Sequence, residues 1–198
     1  MLNIFYCHGF ASAFNPVKPK IQCLSELGPV HGINFDFMQP AETLVERCIA
    51  ALLEHDIDLL VGTSMGGWLA NVAGSRAGLP FVAINPAIEP SRTLMRHVGK
   101  GVDHQGRPYD LEASAVLSYS PFRLEGCGLI LLDEGDEVLD SAQIASLCKP
   151  GLWAGRRLIQ TRKTHVRHHR RHPWLCFRAE SAPRKDGLPE HRRRLATP

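Results

Sequence analysis

The pentapeptide G-T-S-M-G at residues 62–66 carries the residue types that nucleophilic acyl transfer requires. An apolar run at 58–62 leads into it, and a helical pattern at 65–77 continues from it. A serine between a strand and a helix, with glycine two positions to either side, is typical of a nucleophile elbow, a tight turn that exposes the hydroxyl. The helix N-terminus also offers N–H groups to a developing oxyanion. Ser64 is therefore the candidate nucleophile and Met65 a candidate oxyanion donor, with an ordinary Gly/Ser turn as the alternative.

A second donor to the same oxyanion is expected from His8-Gly9-Phe10, which follows an apolar run at 2–7. An oxyanion hole takes one N–H from the residue after the nucleophile and one from a neighbouring loop. Phe10 is the candidate for this second donor, and Gly9 lets the backbone come close. His8 is expected to shape the loop rather than to act as a base. Alone, the tripeptide would indicate only a turn at the end of a strand.

An acidic loop after the apolar run at 128–133 supplies candidates for a carboxylate that orients a catalytic histidine. In acyl transfer the histidine acts as general base, and the carboxylate fixes its tautomer and stabilises its cation. Asp136 is the preferred candidate, because it lies in a loop after a late strand and keeps the chain order Ser…Asp…His. The competing carboxylates are Asp133, Glu134, Glu137 and Asp140, the last of which also fits the N-cap of a following helix.

Short apolar runs alternate with helical patterns along residues 1–148. Strands are expected at 2–7, 30–37, 58–62, 79–85 and 128–133, and helices at 17–27, 41–55, 65–77 and 141–148. This alternation is typical of βαβ units, in which helices cover both faces of a parallel sheet. The expected fold class is therefore α/β, a three-layer sandwich with a mostly parallel sheet.

Length and composition exclude several classes of protein. The chain has 198 residues, of which 44% are hydrophobic and 22% charged, so one domain with a sizeable core is expected. No apolar run approaches the ~20 residues of a membrane helix, and the N-terminus lacks a signal-peptide pattern. The six cysteines are widely spread. This spacing argues against a disulfide framework or a cysteine zinc site and favours a cytoplasmic location.

Charge divides the chain near residue 149. Residues 1–148 hold 9 Lys/Arg and 17 Asp/Glu, whereas residues 149–198 hold 14 and 3. We therefore expect a folded core over 1–148 and a basic Arg/His-rich tail over 149–198, which is either disordered or translated out of frame from a GC-rich gene. Aromatic residues are not interleaved with the basic run, so nucleic acid is not an expected partner. The like charges around the tail histidines oppose a metal site.

With these elements in place, residues 2–148 resemble the YqiA-like esterases of the α/β-hydrolase superfamily. The resemblance rests on the HGF loop, on VGTSMGGWLA, on INPA at 84–87 and on LLDEGDEVLD at 131–140. It implies an α/β-hydrolase fold and a Ser-His-Asp esterase for short acyl esters, with a small-molecule substrate and no metal or organic cofactor. By position it makes Ser64 the nucleophile, Asp136 the acid, and Phe10 and Met65 the oxyanion donors. The expected function is hydrolysis of a short-chain carboxylic ester or thioester through an acyl-enzyme.

The triad histidine is the part of the family pattern that this chain does not reproduce. The family has a G-G-x-H-like segment after the last strand, at a spacing that falls here on Thr161. Leu158 to Gln160 is the candidate last strand, and His165 after it is the preferred base, with His168, His169 and His172 as alternatives. If none of these histidines is correctly placed, the chain is a catalytically impaired α/β-hydrolase-fold binding protein, which is the second hypothesis.

Residues 88–123 are mixed and polar, with room for helices, and they occupy the position at which hydrolases of this class carry a cap over the site. Within them, Arg92, Arg96, His97 and Tyr109 are candidates to meet the substrate, with a solvated surface as the default. Trp68 follows the candidate elbow at helical spacing and is expected in the core rather than in an acyl pocket.

Overall fold

The computed structural model describes residues 1–123, 125–133 and 157–161. Eight strands are found there: β1 (Ile4–Cys7), β2 (Val30–His31), β3 (Leu59–Thr63), β4 (Phe81–Ile84), β5 (Gly99–Val102), β6 (Pro108–Leu111), β7 (Gly128–Asp133) and β8 (Arg157–Thr161). Six of them form one sheet, all pairs parallel, in the order β2-β1-β3-β4-β7-β8. The other two, β5 and β6, form an antiparallel hairpin. The expected α/β class with a mostly parallel sheet is confirmed.

Five helices accompany the sheet in the same residues: α1 (Pro19–Ser25), α2 (Ala41–Leu53), α3 (Met65–Ala77), α4 (Pro90–Leu94) and α5 (Ala113–Leu117). Successive side chains of a strand point to opposite faces of the sheet. On β1, Phe5 and Cys7 pack with residues of α2 and α3, whereas Ile4 and Tyr6 pack with Ile21 of α1. The sheet therefore lies between two helical layers, as a three-layer sandwich requires.

Small residues let α3 lie directly on the sheet. Ala70 and Ala73 are fully buried, and a Cβ at Gly74 would come within 3.0 Å of the carbonyl oxygen of Leu79. The helix ends at Gly78, whose left-handed backbone (φ 68°) suits a residue without a Cβ. The N-terminus of α3 therefore lies against the carboxyl end of the sheet, and Ser64 lies between the end of β3 and the start of α3.

Strand and helix positions agree with the sequence patterns at most elements, and the expected helix at 65–77 has the observed bounds of α3. The strand expected at 30–37 is an exception, because only Val30–His31 pair with β1. Beyond them the backbone bonds to side chains: the N–H of Phe35 donates to Nε2 of His8, and the N–H of Met38 donates to Oδ1 of Asp36. Because these N–H groups donate to side chains, no ladder forms there.

The segment 88–123, in which the sequence left room for helices, contains strands as well. It holds α4, a single 3-10 turn at Met95–His97, the β5–β6 hairpin and α5. The hairpin turn is closed by Asp103, whose Oδ1 accepts from the N–H groups of Gln105 and Arg107 and whose Oδ2 accepts from Nε of Arg107. Gly106, with φ 77°, completes the turn.

The last described strand, β8, belongs to the part of the chain that the charge pattern assigned to the tail. It pairs in parallel with β7, from Leu129 opposite Arg157 to Asp133 opposite Thr161. The strand expected at Leu158 to Gln160 is thus confirmed. The helix expected at 141–148 lies outside the described residues, and the division at 148 stays a prediction.

None of the helices found in the described residues is both long enough and apolar enough to cross a membrane.

Candidate active site

Ser64 lies at a sharp bend between β3 and α3, with φ 55° and ψ −121°. Such a backbone is strained for any residue with a Cβ. The glycines on either side are required by space: a Cβ at Gly62 would come within 1.9 Å of the carbonyl oxygen of Gly66, and one at Gly66 within 2.0 Å of that of Cys7. The bend that the pentapeptide predicts is present, and the side chain of Ser64 is half-buried rather than enclosed in the core.

Backbone hydrogen bonds hold this bend from both sides. The N–H of Ser64 donates to the carbonyl oxygen of Ile84 over 3.0 Å. The carbonyl oxygen of Ser64 accepts from the N–H groups of Gly67, Trp68 and Ala87, at 2.9, 3.1 and 3.1 Å. The INPA segment at 84–87, one of the segments that carry the family resemblance, is thus hydrogen-bonded directly to the bend at Ser64.

Two backbone amides near Ser64 remain available to a ligand. Across the described residues, the N–H groups of Met65 and Phe10 donate to no acceptor. Gly9 brings the loop after β1 against the serine, since an ideal Cβ on Gly9 would lie 3.4 Å from Cβ and 3.9 Å from Oγ of Ser64. Unpaired N–H groups beside a candidate nucleophile are what an oxyanion hole requires.

His8 is fully engaged with the backbone. Its Nε2 accepts from the N–H of Phe35 at 2.8 Å, so its Nδ1 carries the proton and donates to the carbonyl oxygen of Gly9, also at 2.8 Å. Burial lowers the pKa of His8 below its ordinary value, which keeps the ring neutral. The expectation that His8 shapes the loop is confirmed, because neither ring nitrogen is left to take a proton from Ser64.

The segment 88–123 packs against the loop that contains Phe10. The Phe10 ring lies 5.3 Å from that of His97 and 5.6 Å from that of Tyr109, between ring centroids. In the hairpin turn, His104 bonds through both its backbone N–H and its Nδ1 to the carbonyl oxygen of Ala11. Ala11 itself has a left-handed backbone, with φ 50°. The hairpin therefore holds the candidate oxyanion loop in place.

Sequence reasoning named His97 and Tyr109 but missed His104, because it missed the hairpin. The signal was present in the turn-forming run D-H-Q-G-R-P at 103–108 between two short strands. The two arginines named with them are exposed, and Arg92 pairs with Glu89 at 3.2 Å.

Trp68 lies in the core, as expected. Only 1% of its surface is exposed, and its Nε1–H donates to the carbonyl oxygen of Ser120 at 2.8 Å. Its ring packs edge-on against Tyr119. Trp68 therefore ties α3 to the end of the cap segment and does not line an acyl pocket.

Asp136 and His165 lie outside the described residues, as do the alternative carboxylates Glu134, Glu137 and Asp140 and the alternative histidines His168, His169 and His172. What the fold provides is the strand ends before them. In a parallel sheet all carboxyl ends lie at one edge, so the chain leaves β7 at Asp133 and β8 at Thr161 on the edge where Ser64 follows β3.

No cluster of three or more potential metal ligands occurs within residues 1–123, 125–133 and 157–161.

Comparison with solved structures defines the class of fold. A monoacylglycerol lipase from Paleococcus ferrophilus superposes with a TM-score of 0.61 at 13% identity, covering 81% of this chain and 84% of the lipase. Est1E from Butyrivibrio proteoclasticus superposes with a TM-score of 0.59 at 15% identity, covering 82% of this chain and 78% of Est1E. Mouse alpha/beta hydrolase domain-containing protein 10 gives 0.59 at 15% identity, covering 80% of this chain and 79% of the mouse protein. The fold is that of the α/β hydrolases.

Comparison of sequences defines the family. Residues 3–169 match the Uncharacterised protein family UPF0227, and the chain belongs to it. A UPF0227 protein of Shewanella sp. strain ANA-3 is 29% identical over 155 residues, covering 74% of this chain and 83% of that protein. A UPF0227 protein of Shewanella loihica is 28% identical over 153 residues, covering 74% and 82%. The resemblance to the YqiA-like family is confirmed, and the fold expected from it is the one observed.

Proposed function

We propose that this protein is a serine hydrolase that cleaves short-chain carboxylic esters or thioesters through an acyl-enzyme. The observation that carries the proposal is the strained bend at Ser64, with φ 55°, beside two backbone amides that have no acceptor in the described part of the chain. Strain persists in a folded protein where the surroundings enforce it, and it concentrates at functional sites.

The proposed reaction begins when Oγ of Ser64 attacks the carbonyl carbon and His165 takes the hydroxyl proton. The carbonyl oxygen becomes an oxyanion, which the N–H groups of Phe10 and Met65 stabilise. The tetrahedral intermediate collapses, the bond to the alcohol or thiol breaks, and His165 protonates the leaving group. Water, deprotonated by the same histidine, then attacks the acyl-enzyme and releases the acid and Ser64. Asp136 orients the histidine and stabilises its cation.

Chain reach supports Asp136 and His165 in these roles. Asp136 follows the end of β7 by three residues, and His165 follows the end of β8 by four. An extended chain covers at most ~3.5 Å per residue, and neighbouring strands are about 4.8 Å apart. One strand lies between β3 and β7, and β8 is the next strand outward. Both residues are therefore within reach of Ser64, and both fall inside the 3–169 family match.

The choice of short acyl groups, without metal or organic cofactor, rests on the resemblance to YqiA-like esterases. The solved structures that superpose include a monoacylglycerol lipase, the lipolytic enzymes LipS and LipT, and an esterase from Pyrobaculum calidifontis, which supports an ester as the substrate. Among the described residues, Cys7, Cys48 and Cys127 form no disulfide, which supports the proposed cytoplasmic location.

The second candidate is a ligand-binding protein with the hydrolase fold and an impaired triad. The observation that favours it is the run R-K-T-H-V-R at 162–167, which has no glycine pair before His165. The proposal of an out-of-frame tail addresses the same residues; it predicts a G-x-H segment in the neighbouring reading frame, and resequencing of the gene tests it.

Active-site titration with a fluorophosphonate probe separates the candidates. The proposed hydrolase labels at Ser64, turns over a short p-nitrophenyl ester, and loses both with Ser64→Ala. His165→Ala is expected to reduce turnover by at least about a thousandfold, because a triad histidine contributes that much or more. Labelling without turnover in the wild type points to the impaired binding protein. Equal labelling of wild type and Ser64→Ala contradicts the assignment of Ser64 as the nucleophile.

A further inference from the structure

A cavity of about 140 Å³ lies between the loop after β1, the start of α1 and the carboxyl end of β3. Two lysines, Lys18 and Lys20, line it together with hydroxyl and amide groups. Within the described residues, no lining side chain carries a carboxylate. At ~30 Å³ per water molecule, the volume holds roughly five waters, or one carboxylate or phosphate group.

Several side-chain N–H and O–H groups of this cavity donate to no acceptor among the described residues. Lys18 Nζ donates to Ser12 Oγ and to the carbonyl oxygen of Ala13, both at 3.3 Å. An ammonium has three N–H groups, so one remains for the cavity. Ser12 Oγ accepts from Lys18 and so keeps its own proton to donate.

Asn15 adds further donors. Its Oδ1 accepts from the N–H of Val17 at 3.0 Å, while its NH₂ group has no acceptor in the residues that the structure describes. Tyr6 and Thr63 share a hydroxyl hydrogen bond of 3.0 Å. Two hydroxyls hold two protons and this bond uses one, so one proton is left over. Surplus donors of this kind match a ligand that only accepts.

The sign of the local charge agrees with this count. Lys18 is half-buried and forms no ion pair with a carboxylate among the described residues. Removal of water from a cation is costly, and an anion with several acceptor oxygens offsets that cost through charge-assisted hydrogen bonds.

The cavity also borders the candidate nucleophile. Gly9 and Thr63 form part of its lining, and Thr63 directly precedes Ser64. An ideal Cβ on Gly9 would lie 3.9 Å from Ser64 Oγ. A ligand in the cavity would therefore contact Thr63, the residue that directly precedes Ser64.

We propose that this cavity binds a small oxyanion, a carboxylate or phosphate group, through Lys18, Ser12 and Asn15. The proposal goes beyond ester hydrolysis and does not depend on it, because anion binding is measured without turnover.

Isothermal titration calorimetry of the full chain with sodium phosphate and with sodium succinate tests the proposal, at an ionic strength held constant with sodium chloride. Wild type is expected to bind in a saturable manner. Lys18→Met is expected to bind at least about tenfold more weakly, because it loses a charge-assisted hydrogen bond. The matched control is Lys100→Met, since Lys100 is exposed on β5, and it should bind like wild type.

Asn15→Asp is the second variant, and it guards against a folding defect in Lys18→Met. It preserves the shape of the side chain and the oxygen that accepts from Val17, but it places a negative charge at the cavity. It is also expected to weaken binding at least about tenfold. No saturable binding by wild type beyond sodium chloride, or wild-type binding by Asn15→Asp, overturns the proposal.

Two esters of similar length then identify the source of the oxyanion: the mono-p-nitrophenyl ester of succinate, which carries a carboxylate, and neutral p-nitrophenyl butyrate. If Lys18→Met loses kcat/KM for the succinate ester alone, the oxyanion belongs to the substrate. If it hydrolyses both like wild type but binds free anions weakly, the oxyanion is a separate ligand. Both outcomes support the site. Absence of turnover in wild type counts against the hydrolase proposal and leaves the calorimetric result in force.

Discussion

Gly66→Ala is the substitution whose effect follows most directly from the geometry of the bend. A Cβ at Gly66 would lie 2.0 Å from the carbonyl oxygen of Cys7 and 2.5 Å from that of His8. Contact distances are about 3.5 Å, so these backbone atoms must separate by about 1.5 Å. Overpacking of this kind costs about 1–3 kcal/mol or more, and rigid backbone on both sides favours the upper end. The gain in helix propensity offsets about 1 kcal/mol.

The expected net loss for Gly66→Ala is therefore about 2 kcal/mol, a fall in Tm of roughly 4–8 °C for a chain of this size. Because displacement of His8 also moves the Phe10 amide, fluorophosphonate labelling of Ser64 should slow as well. Gly67→Ala is the matched control, since its Cβ would meet Cβ and Cα of Pro86 at 3.1 and 3.2 Å and the carbonyl oxygen of Gly62 at 3.3 Å. These atoms need to move by only a few tenths of an ångström, so its Tm should fall less than that of Gly66→Ala. Thermal unfolding of both variants is monitored by circular dichroism. Equal Tm values would refute the argument that a steric clash at residue 66 destabilises the bend.

Ser64→Gly removes the Cβ that makes φ 55° unfavourable, so it should raise Tm by a few degrees, about 1 kcal/mol, while abolishing labelling; a Tm equal to that of Ser64→Ala contradicts the strain argument. Trp68→Phe loses the bond to Ser120 and should cost about 1–2 kcal/mol in urea unfolding, with an unchanged midpoint as the contrary result. Burial holds the pKa of His8 below its ordinary value, whereas the unfolded chain has about 6.5. The unfolded state therefore binds more protons, and stability should fall as pH drops below about 6.5. His8→Asn should be less stable at neutral pH and lack this part of the pH dependence, and parallel Tm curves for the two proteins would count against it.

The elbow could be predicted from sequence because its constraints are local. Gly62 is dictated by space within the pentapeptide, since its Cβ would meet the carbonyl oxygen of Gly66, and the helical pattern after Ser64 continues without interruption to Ala77. The same holds for β7, a short continuous apolar run between Gly128 and Asp133, which is typical of a strand in a parallel sheet. Local constraints are the ones that a single sequence displays.

Other features depend on contacts between distant residues, and these were not predictable. The stretch after His31 alternates like a strand, yet the N–H of Phe35 bonds to His8, which lies far away in sequence. The hairpin that supports the Phe10 loop is short, and its contact between His104 and Ala11 joins residues 93 positions apart. Neither contact leaves a periodic signal, because each depends on where the sheet brings the loops.

At the site, the sequence identified the bend and both candidate donors, and their positions follow from α3 and from the loop after β1. Asp136 and His165 remain predictions, because they lie beyond the described strand ends. The surplus of donors around Lys18 was not predictable, because it emerges only when each hydrogen bond is assigned.

Three backbone amides donate to the carbonyl oxygen of Ser64, and this fixed backbone bears on which positions can change among relatives. Two come from the helix itself and one, from Ala87, arrives on a separate segment. In the proposed hydrolase, the attacking Oγ of Ser64 therefore starts each catalytic cycle from the same position. Substitutions that adapt relatives to new substrates are therefore expected in the segment 88–123 and in the residues that line neighbouring cavities. The hydrogen-bonded backbone at Ser64 is expected to stay unchanged.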